Sequence, residues 1–312
     1  MMSLREQEYM TTVEKCGSIS KAADLLHISQ PSLSQYIQKI ERRTGYQIFD
    51  RSNKILSLTV AGVEYMNTCH EILRLSKELI KKIDDISEIK RGRIVIGVTS
   101  HRSPYLLPEI LFNFQRKYPG VNLDIIEKLS TDELEDITLR GEVDLFFTTT
   151  PLKNKGFSIE HLSDDILSLV IPPDSYISGN MQKMTFDEIG DFICCSLCNM
   201  KFVLSPQTMK LGRLIHKLFE RINFEPQVFF ETYNMDTGIA MASKGLCASF
   251  TFSTLKPQKD YGEVPLYIPI MDKDFTVSLV IAFPRQRYLS RAASAFIQMS
   301  REILGQRNLL NC

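Results

Sequence analysis

The hydrophobic pattern of residues 17–42 predicts two short helices joined by a tight turn. A serine can cap the first helix, which presents a compact apolar face, and the turn follows at residues 27–28. Ser29 is a natural N-cap for the second helix, and Pro31 falls in its first turn, where a missing N–H costs little. The apolar positions are Ala22, Ala23, Leu25 and Leu26 in the first helix and Leu33, Ile37 and Ile40 in the second.

The face of the second helix opposite its apolar positions is polar, with small hydroxyls and amides at the front and cations further along. Short polar groups on an exposed helix reach base edges in the major groove, and cations reach phosphates. The pattern therefore predicts a DNA-binding helix-turn-helix; the alternative is a polar helical hairpin of another domain. The candidate base readers are Gln30, Ser32, Ser34 and Gln35, and the other DNA-binding candidates on these helices are Ser18, Ser20, Ser29, Pro31 and Lys39.

Residues 46–58 predict a β-hairpin beside the second helix. Apolar residues at 46–49 and 55–58 indicate two short strands, and a basic turn lies between them. Such a hairpin would form a wing, with Arg51 and Lys54 placed to contact the phosphate backbone. The alternative for Arg51 is a surface salt bridge to Asp50 or Glu41.

A long helix is predicted from Thr59, its N-cap, to about Lys90. Its apolar residues recur every seven positions, which is typical of a coiled-coil dimerisation helix. The alternative is a helix packed along its own domain. A dimer would hold two recognition helices at a fixed separation and would require a DNA site with two half-sites. Residues 91–93 break the helix and are predicted to form a hinge.

From residue 94 onward, strands alternate with helices, which predicts a parallel-type α/β sheet. Two such sets, with the chain returning at its end, indicate two lobes joined by crossover strands. The predicted strands are Ile94–Val98, Val121–Ile126, Asp144–Phe147, Ile166–Ile171, Phe192–Cys195, Val228–Phe230, Leu246–Phe250 and Phe275–Ala282, and the predicted helices are Pro108–Arg116, Thr131–Arg140, Pro206–Ile222, Asn234–Ser243 and Ser290–Leu304.

Polar residues follow several of these strands or open the next helix, where open α/β sheets bind ligands. Hydroxyls and amides next to free helix N-termini suit a small anion such as a carboxylate or an inorganic oxyanion. For any single residue, an ordinary helix cap is at least as good an interpretation. The candidate effector-binding residues are Thr99, Ser100, His101, Thr131, Thr148, Thr149, Ser205, Gln207 and Asn234.

The composition changes this picture little. The 312 residues include 37 basic and 37 acidic side chains, and this neutral total does not exclude DNA binding. Residues 1–58 carry 8 Lys/Arg against 6 Asp/Glu, a weak local charge, so DNA binding should depend on dimerisation and geometry rather than on bulk charge. The sequence shows no export signal and no membrane-length apolar run, and its seven cysteines are an odd number. These features favour a reduced, cytoplasmic location. We find no P-loop, nucleophile elbow or dinucleotide-binding motif, and we expect no enzyme activity, metal or cofactor.

Cys195 and Cys198 form a C-x-x-C pair, which allows a thiol-based redox sensor as an alternative. A metal site would need two further ligands at suitable spacing, and no second motif supplies them. Core cysteines at the end of a strand are the simpler interpretation.

The chain as a whole resembles the LysR-type transcriptional regulators. The resemblance is nearly gapless over residues 1–65, where Asp50 replaces the family's usual glutamate, and the order of parts matches over the rest of the chain. The matching residues are Gly17–Ala23, Leu25–Ser34, Ile37, Ile40, Glu41, Gly45, Phe49, Arg51, Leu58, Thr59, Ala61 and Gly62.

This resemblance implies a hinged, two-lobed effector domain similar to periplasmic solute-binding proteins, with an inducer held between the lobes. It also implies assembly as a dimer of dimers and RNA polymerase as a candidate partner. We therefore expect a winged helix-turn-helix at 1–58, a dimerisation helix and hinge at 59–92, and an effector domain at 93–312. Lobe one would comprise 93–162 with 269–312, and lobe two would comprise 163–268.

The predicted function is a sequence-specific transcriptional regulator that binds double-stranded DNA and is switched by a small-molecule effector. The alternative from another class is a solute-binding protein whose N-terminal domain only mediates assembly. Cys247 stands where the family commonly has the second glycine of a pair, and aromatic residues are dense nearby. A bulkier, more aromatic ligand than a simple oxyanion is therefore a further alternative.

Overall fold

The structure is a computed structural model, and it describes residues 3–50, 56–85, 92–173, 175, 184–255 and 263–310. The chain divides into two compact units. One comprises Met1–Glu88 with Leu139–Glu142, and the other comprises Ile89–Thr138 with Val143–Cys312. Each unit has its own hydrophobic core.

The first unit begins with three helices, α1 (Leu4–Cys16), α2 (Ile19–Leu25) and α3 (Gln30–Thr44). The Ser18 side chain caps α2, and the Ser29 side chain caps α3 by accepting from the Ser32 N–H at 3.3 Å. His27 closes the turn between them with φ of 53°, a left-handed conformation that is uncommon for a residue other than glycine. The two predicted helices and their turn are confirmed.

The predicted hairpin is present as two short antiparallel strands, β1 (Phe49–Asp50) and β2 (Ser57–Leu58). Arg51 and Lys54 lie outside the described residues. Helix α4 (Val60–Asp84) follows, capped by Thr59, whose Oγ1 accepts from the Gly62 N–H at 2.9 Å. The helix ends at Asp84 with Asp85 as its C-cap, and residues 86–90, over which the sequence also predicts helix, lie outside the described residues.

The two halves of α4 differ in their burial. Near its start, Met66 and Cys69 are buried in the core that α1, α2 and α3 also form. Towards its end the apolar stripe is exposed, with exposed fractions between 54% and 59%. The exposed residues are Leu75, Leu79, Ile80 and Ile83. The first half therefore belongs to the helix-turn-helix core, and the second half presents an apolar stripe that its own unit leaves uncovered.

The second unit contains ten strands and six helices within the described residues, with an additional 3₁₀ turn at Lys273–Phe275. Its first half consists of β3 (Gly92–Thr99), α5 (Ser103–Lys117), β4 (Val121–Lys128), α6 (Thr131–Leu139), β5 (Leu145–Thr149), β6 (Phe157–Ile171), β7 (Met184–Thr185) and α7 (Phe186–Ser196). Its second half consists of β8 (Lys201–Leu204), α8 (Lys210–Arg221), β9 (Gln227–Glu231), α9 (Met235–Ser243), β10 (Ser249–Phe252), β11 (Leu266–Met271), β12 (Thr276–Pro284) and α10 (Arg291–Leu310).

The sheet of this unit is mixed rather than parallel, which corrects the sequence-based prediction. β3 pairs in parallel with β4 and β5, and β8 pairs in parallel with β9. However, β12 is antiparallel to β5 and β6, and β6 is antiparallel to β10 and β11. The alternation of strands and helices could not reveal this, because β6 and β12 pair with each other although they are far apart in the sequence.

β6 is the crossover strand that joins the two halves of this unit. Its first part pairs with β12, and its last residues pair with β10 and β11. One core surrounds β3, α5 and α10 with Phe114 and Phe296 at its centre. A second core surrounds α7, α8 and β10 with Phe202, Phe219 and Phe250. The predicted two-lobe architecture with crossover strands is confirmed.

Several predicted elements of this unit are wrong in type or extent. The strand predicted at 166–171 begins at Phe157, and the strand predicted at 246–250 lies at Ser249–Phe252. Residues 192–195 lie in α7, because Thr185 and Glu188 form a capping box that starts a helix there. A short apolar run cannot by itself be assigned to a strand or a helix. The helix predicted from Pro108 begins at Ser103 and contains that proline, and the helix predicted from Pro206 begins at Lys210.

No helix among the described ranges is both long and apolar enough to cross a membrane.

Gly62 packs so closely against the backbone of residue 48 that we predict a loss of stability when it is replaced. A Cβ at this position would lie 2.0 Å from the Ile48 carbonyl oxygen. Gly62→Ala should therefore lower the free energy of unfolding of the first unit by about 2–3 kcal/mol, measured by chemical denaturation. The matched control is Gly305→Ala, because a Cβ on this helical glycine meets none of the described atoms within 4 Å. Equal effects of the two substitutions would contradict the prediction.

Candidate functional site

The outer face of α3 presents the polar residues that the sequence predicted to contact DNA. Gln30, Ser32, Gln35 and Lys39 are exposed, and Pro31 at the start of the helix is exposed with them. The apolar residues Leu33, Ile37 and Ile40 are buried on the opposite face. The helix therefore offers a continuous polar surface while its other side is fixed in the core.

Four other DNA-binding candidates are placed differently around this surface. Ser34 and Ser18 are half-buried, and the Ser18 hydroxyl caps α2 by accepting from the Lys21 N–H. Ser20 is exposed on α2. Ser29 is exposed at the start of α3, where its hydroxyl lies 2.7 Å from the Ser32 hydroxyl. Ser18 and Ser29 therefore stabilise the starts of the two helices.

A buried carboxylate that the sequence did not single out joins α1, α3 and α4. Glu6 is only 3% exposed, and it accepts hydrogen bonds from Arg43 and, at 2.8 Å, from the Tyr65 hydroxyl. The hydrogen bond that Arg43 donates to Glu6 raises the pKa of Arg43. Burial, and next the bond to Glu6, raise the pKa of Tyr65. This network fixes the orientation of α3 relative to its neighbouring helices.

In the second unit, residues of both lobes line a cleft of about 430 Å³, part of which is open to solvent. The effector cleft, as we name it, brings together several predicted residues from separate elements. Thr99 ends β3 and His101 follows it, Thr131 begins α6, and Thr148 and Thr149 end β5. The other lining residues are Arg102, Leu129, Ser130, Asp132, Thr208, Met209, Lys210, Leu211, Arg213 and Phe252.

Four predicted effector residues do not line the effector cleft. The Ser100 hydroxyl donates to the Lys128 carbonyl, and Asn234 caps α9 by accepting from the Asp236 N–H at 3.1 Å. Ser205 and Gln207 were expected at the start of a helix. The helix begins only at Lys210, and so Thr208, Met209 and Lys210 occupy the lining positions instead.

Arg102 and Asp165 form a buried ion pair beside the effector cleft. Their side chains are 3% and 0% exposed, and Arg102 Nη2 lies 2.9 Å from Asp165 Oδ2. Asp165 Oδ1 also accepts from the Thr254 N–H at 3.1 Å and from the Thr254 hydroxyl at 2.9 Å. The guanidinium carbon of Arg102 lies 4.9 Å from the centroid of the Phe252 ring. The pair thus links the segment after β3 to the crossover strand and to lobe two.

Two further groups of the effector cleft have shifted pKa values. Burial, and next the charge of Arg102, lower the pKa of His101 to about 3, so its imidazole is neutral at physiological pH. Thr99 Oγ1 lies 3.3 Å from the Nε2 of this neutral ring. Burial lowers the pKa of Lys210 to about 8. The Lys210 ammonium donates to the carbonyls of Thr149 and Pro151, and it therefore reaches from lobe two to lobe one.

The sequence contains a partial signal for these charged residues. Arg102 directly follows the strand-end segment Thr99–His101, which the sequence had already selected. Lys210 had no such signal, because the start of α8 was assigned to the wrong residue. Asp165 lies inside a strand, where nothing in the pattern distinguishes it from a surface acid.

The C-x-x-C pair lies at the end of α7, with both sulfurs exposed and Cys198 Sγ 3.5 Å from the Cys195 carbonyl oxygen. Among the residues that the structure describes, no cluster of histidine, cysteine and acidic side chains could hold a metal ion. A redox role for the pair stays a prediction from the sequence.

Comparisons with known proteins agree with this arrangement of domains. Residues 87–305 match the LysR substrate binding domain, and residues 4–63 match bacterial regulatory helix-turn-helix proteins of the lysR family. The chain is 29% identical to an uncharacterized HTH-type transcriptional regulator, YcgK, of Bacillus subtilis, over 98% of this chain and 96% of that protein.

Two solved structures show the same fold. A full-length OxyR variant from Pseudomonas aeruginosa superposes with a TM-score of 0.73 at 20% identity, covering 96% of this chain and 98% of that one. Full-length CbnR complexed with its target DNA superposes with a TM-score of 0.60 at 19% identity, covering 96% and 99%.

We predict that the effector domain depends on the charge of Asp165. Asp165→Asn keeps the side-chain shape but leaves the buried Arg102 guanidinium without its counter-charge, which should lower the free energy of unfolding of this domain by about 3–5 kcal/mol. Asp164→Asn is the matched control, because its carboxylate is 63% exposed and should change the same free energy by less than about 0.5 kcal/mol. Chemical denaturation of the full chain measures both values. If Asp165→Asn unfolds with the same free energy as the wild type, the ion pair adds no stability.

Proposed function

This chain belongs to the LysR family of transcriptional regulators, and we propose that it binds double-stranded DNA through α3 and responds to a small molecule held in the effector cleft. The observation that carries the DNA-binding role is the exposed polar face of a helix whose apolar face is locked in the core. CbnR, which shares this fold, has been solved with its target DNA.

In this proposal some side chains of α3 contact bases and others contact phosphates. Gln30, Ser32, Ser34 and Gln35 read base edges, and Ser29 and Lys39 contact the phosphate backbone. Pro31 starts the helix, and Ser18 and Ser20 lie on the helix that crosses the backbone. The sequence predicts that Arg51 and Lys54 also contact the phosphate backbone.

We further propose that the chain dimerises through the exposed stripe of α4. Isolated apolar side chains are common on protein surfaces, but a run of exposed apolar residues along one helix marks an interaction surface. Leu75, Leu79, Ile80 and Ile83 form such a run. Pairing of two α4 helices would give a DNA site with two half-sites, and the family resemblance extends this to a dimer of dimers and to contact with RNA polymerase.

The effector cleft supplies the regulatory part of the proposal. Thr99, His101, Thr131, Thr148 and Thr149 line it, and we propose that they contact the effector. An effector that binds one arrangement of the two lobes more tightly than another shifts the population toward that arrangement. This shift would also change the geometry of the bound DNA. We assign this chain no catalytic reaction and no cofactor.

The experiment that tests the proposal is a mobility shift with footprinting on the chain's own upstream DNA, at two salt concentrations. We expect a protected site in two parts and an affinity that falls steeply with salt. Absence of binding at low salt would overturn the DNA-binding role and favour a solute-binding protein.

Substitutions on α3 should separate base reading from phosphate contact. Lys39→Ala should weaken binding to all sequences about equally and reduce the slope of log affinity against log salt by about 1. Gln35→Ala should cost about 1–3 kcal/mol at one base position and relax the preference there. Lys77→Ala, which removes the same charge from the exposed side of α4, is the control and should leave affinity unchanged. A uniform loss for Gln35→Ala would place this side chain on the backbone instead.

A charge in the apolar stripe of α4 should break the dimer. Leu79→Asp places a carboxylate on a side chain that is 59% exposed in one chain, and we expect the dimer dissociation constant to rise by at least about tenfold. Analytical ultracentrifugation measures the constant, and footprinting should then show loss of the two-part protection. Lys77→Asp is the control for an added carboxylate on the same helix. If both variants stay dimeric, the stripe is not the interface.

A further inference from the structure

Arg102 is a cation that the protein itself satisfies only in part. Its side chain is 3% exposed and lines the effector cleft. Within the described residues, neither Nη1 nor Nη2 has a hydrogen-bond acceptor, and the 2.9 Å approach of Nη2 to Asp165 Oδ2 lacks hydrogen-bond alignment. A buried donor without an acceptor is costly, and a guanidinium in this state favours a planar anion that takes two of its N–H groups.

Lys210 is the second cation, and it comes from the opposite side of the effector cleft. Its ammonium is held by the carbonyl oxygens of Thr149 and Pro151 in lobe one. Neutral carbonyl oxygens are weaker partners for an ammonium than a carboxylate is. An anion that entered the cleft would therefore compete successfully for Lys210.

The rest of the lining fits an anion with an apolar body. In the part of the chain that the structure describes, the N-cap residue Met209 makes no side-chain hydrogen bond to α8, so the first N–H groups of this helix add positive potential at the cleft. Leu129, Met209, Leu211 and Phe252 provide apolar surface. Asp132 is the opposing carboxylate in the lining, and it lies 4.0 Å from the Lys153 ammonium.

We propose that the effector is a small organic acid whose carboxylate binds Arg102 and draws Lys210 away from the carbonyls of lobe one. This inference rests on the proposed function, because it names the ligand class of the same cleft. The apolar lining favours a carboxylate on a carbon skeleton over an inorganic oxyanion. Transfer of Lys210 exchanges a contact between the lobes for a contact with the ligand, which gives the ligand a means of changing how the lobes meet.

The test compares carboxylates with amides of the same shape, using the full-length protein. The probes are butyrate against butyramide and phenylacetate against phenylacetamide, with sodium sulfate as the inorganic oxyanion. We expect the two carboxylates to bind in calorimetric titrations and to raise Tm with increasing concentration. The amides should bind at least about tenfold more weakly. A hydrogen bond to a charged group contributes more free energy than this ratio of dissociation constants requires.

Substitutions then locate the binding to the two cations. Lys210→Met should raise the Kd for phenylacetate by about tenfold, and Lys210→Arg should restore most of the loss. Lys217→Met is the matched control, because Lys217 lies on the same helix, pairs with Asp274 at 3.4 Å and is absent from the cleft lining. Arg102→Gln combined with Asp165→Asn removes both charges together, so that no buried charge is left unpaired, and it should abolish binding.

The pH dependence of carboxylate affinity separates ligand binding by Lys210 from a purely structural role of this residue, which would leave that dependence unchanged. Lys210 faces Asp132 and Glu135 from α6 and Arg102 and Arg213 from the cleft wall, and burial lowers its pKa to about 8. Deprotonation removes its charge, so carboxylate affinity should be constant near pH 6–7 and fall as pH rises through 8. Lys210→Arg keeps its charge at these pH values and should remove this fall.

Two results would overturn the inference: amides that bind as well as carboxylates, or a Kd that is the same for wild type and Lys210→Met. Sulfate that binds as tightly as phenylacetate would overturn the organic-acid assignment. Footprinting of the same preparations keeps the two proposals apart. A normal footprint with no carboxylate binding contradicts this inference alone, whereas carboxylate binding without a footprint contradicts the DNA-binding role alone.

Discussion

The effector domain depends on one buried ion pair, between Arg102 and Asp165. Burying two charges costs several kcal/mol for each ion, and the pair is stable only because other groups help to satisfy it. Asp165 receives the N–H and hydroxyl of Thr254, and Arg102 lies against the Phe252 ring. Since Asp165 sits in the crossover strand and Thr254 follows β10, this interaction ties together both lobes at the side of the effector cleft.

The DNA-binding unit uses the same physical device with a different function. Glu6 is a buried carboxylate that receives Arg43 from α3 and Tyr65 from α4. A helix that reads base edges must be held in a fixed orientation, because an error of an ångström removes the contacts that distinguish one base from another. The close packing of Gly62 on the Ile48 carbonyl and the Glu41 carboxylate that accepts from the Ile48 N–H at 2.9 Å serve the same rigidity.

The effector cleft differs from the Glu6 network, because the protein satisfies its cations only in part. Lys210 binds neutral carbonyl oxygens, and Arg102 retains N–H groups without an acceptor among the residues described. Groups that are incompletely satisfied in the free protein are available to a ligand, and the free energy of the new contacts can then alter the lobes. A fully satisfied polar network in the same place would have stabilised the fold and left nothing for an effector to change.

The sequence by itself determined the helix-turn-helix, its polar and apolar faces, the start of α4 and the two-lobed α/β architecture, because caps and hydrophobic periodicity are local signals. It also placed Thr99, Thr131 and Thr149 at strand ends and helix starts that meet in the effector cleft. Only the tertiary structure decided the antiparallel course of β6 and β12, the helical state of residues 192–195 and the partners of Glu6, Arg102 and Lys210. These features depend on residues that are distant in sequence, and burial of a charge is a property of the packed chain rather than of any segment.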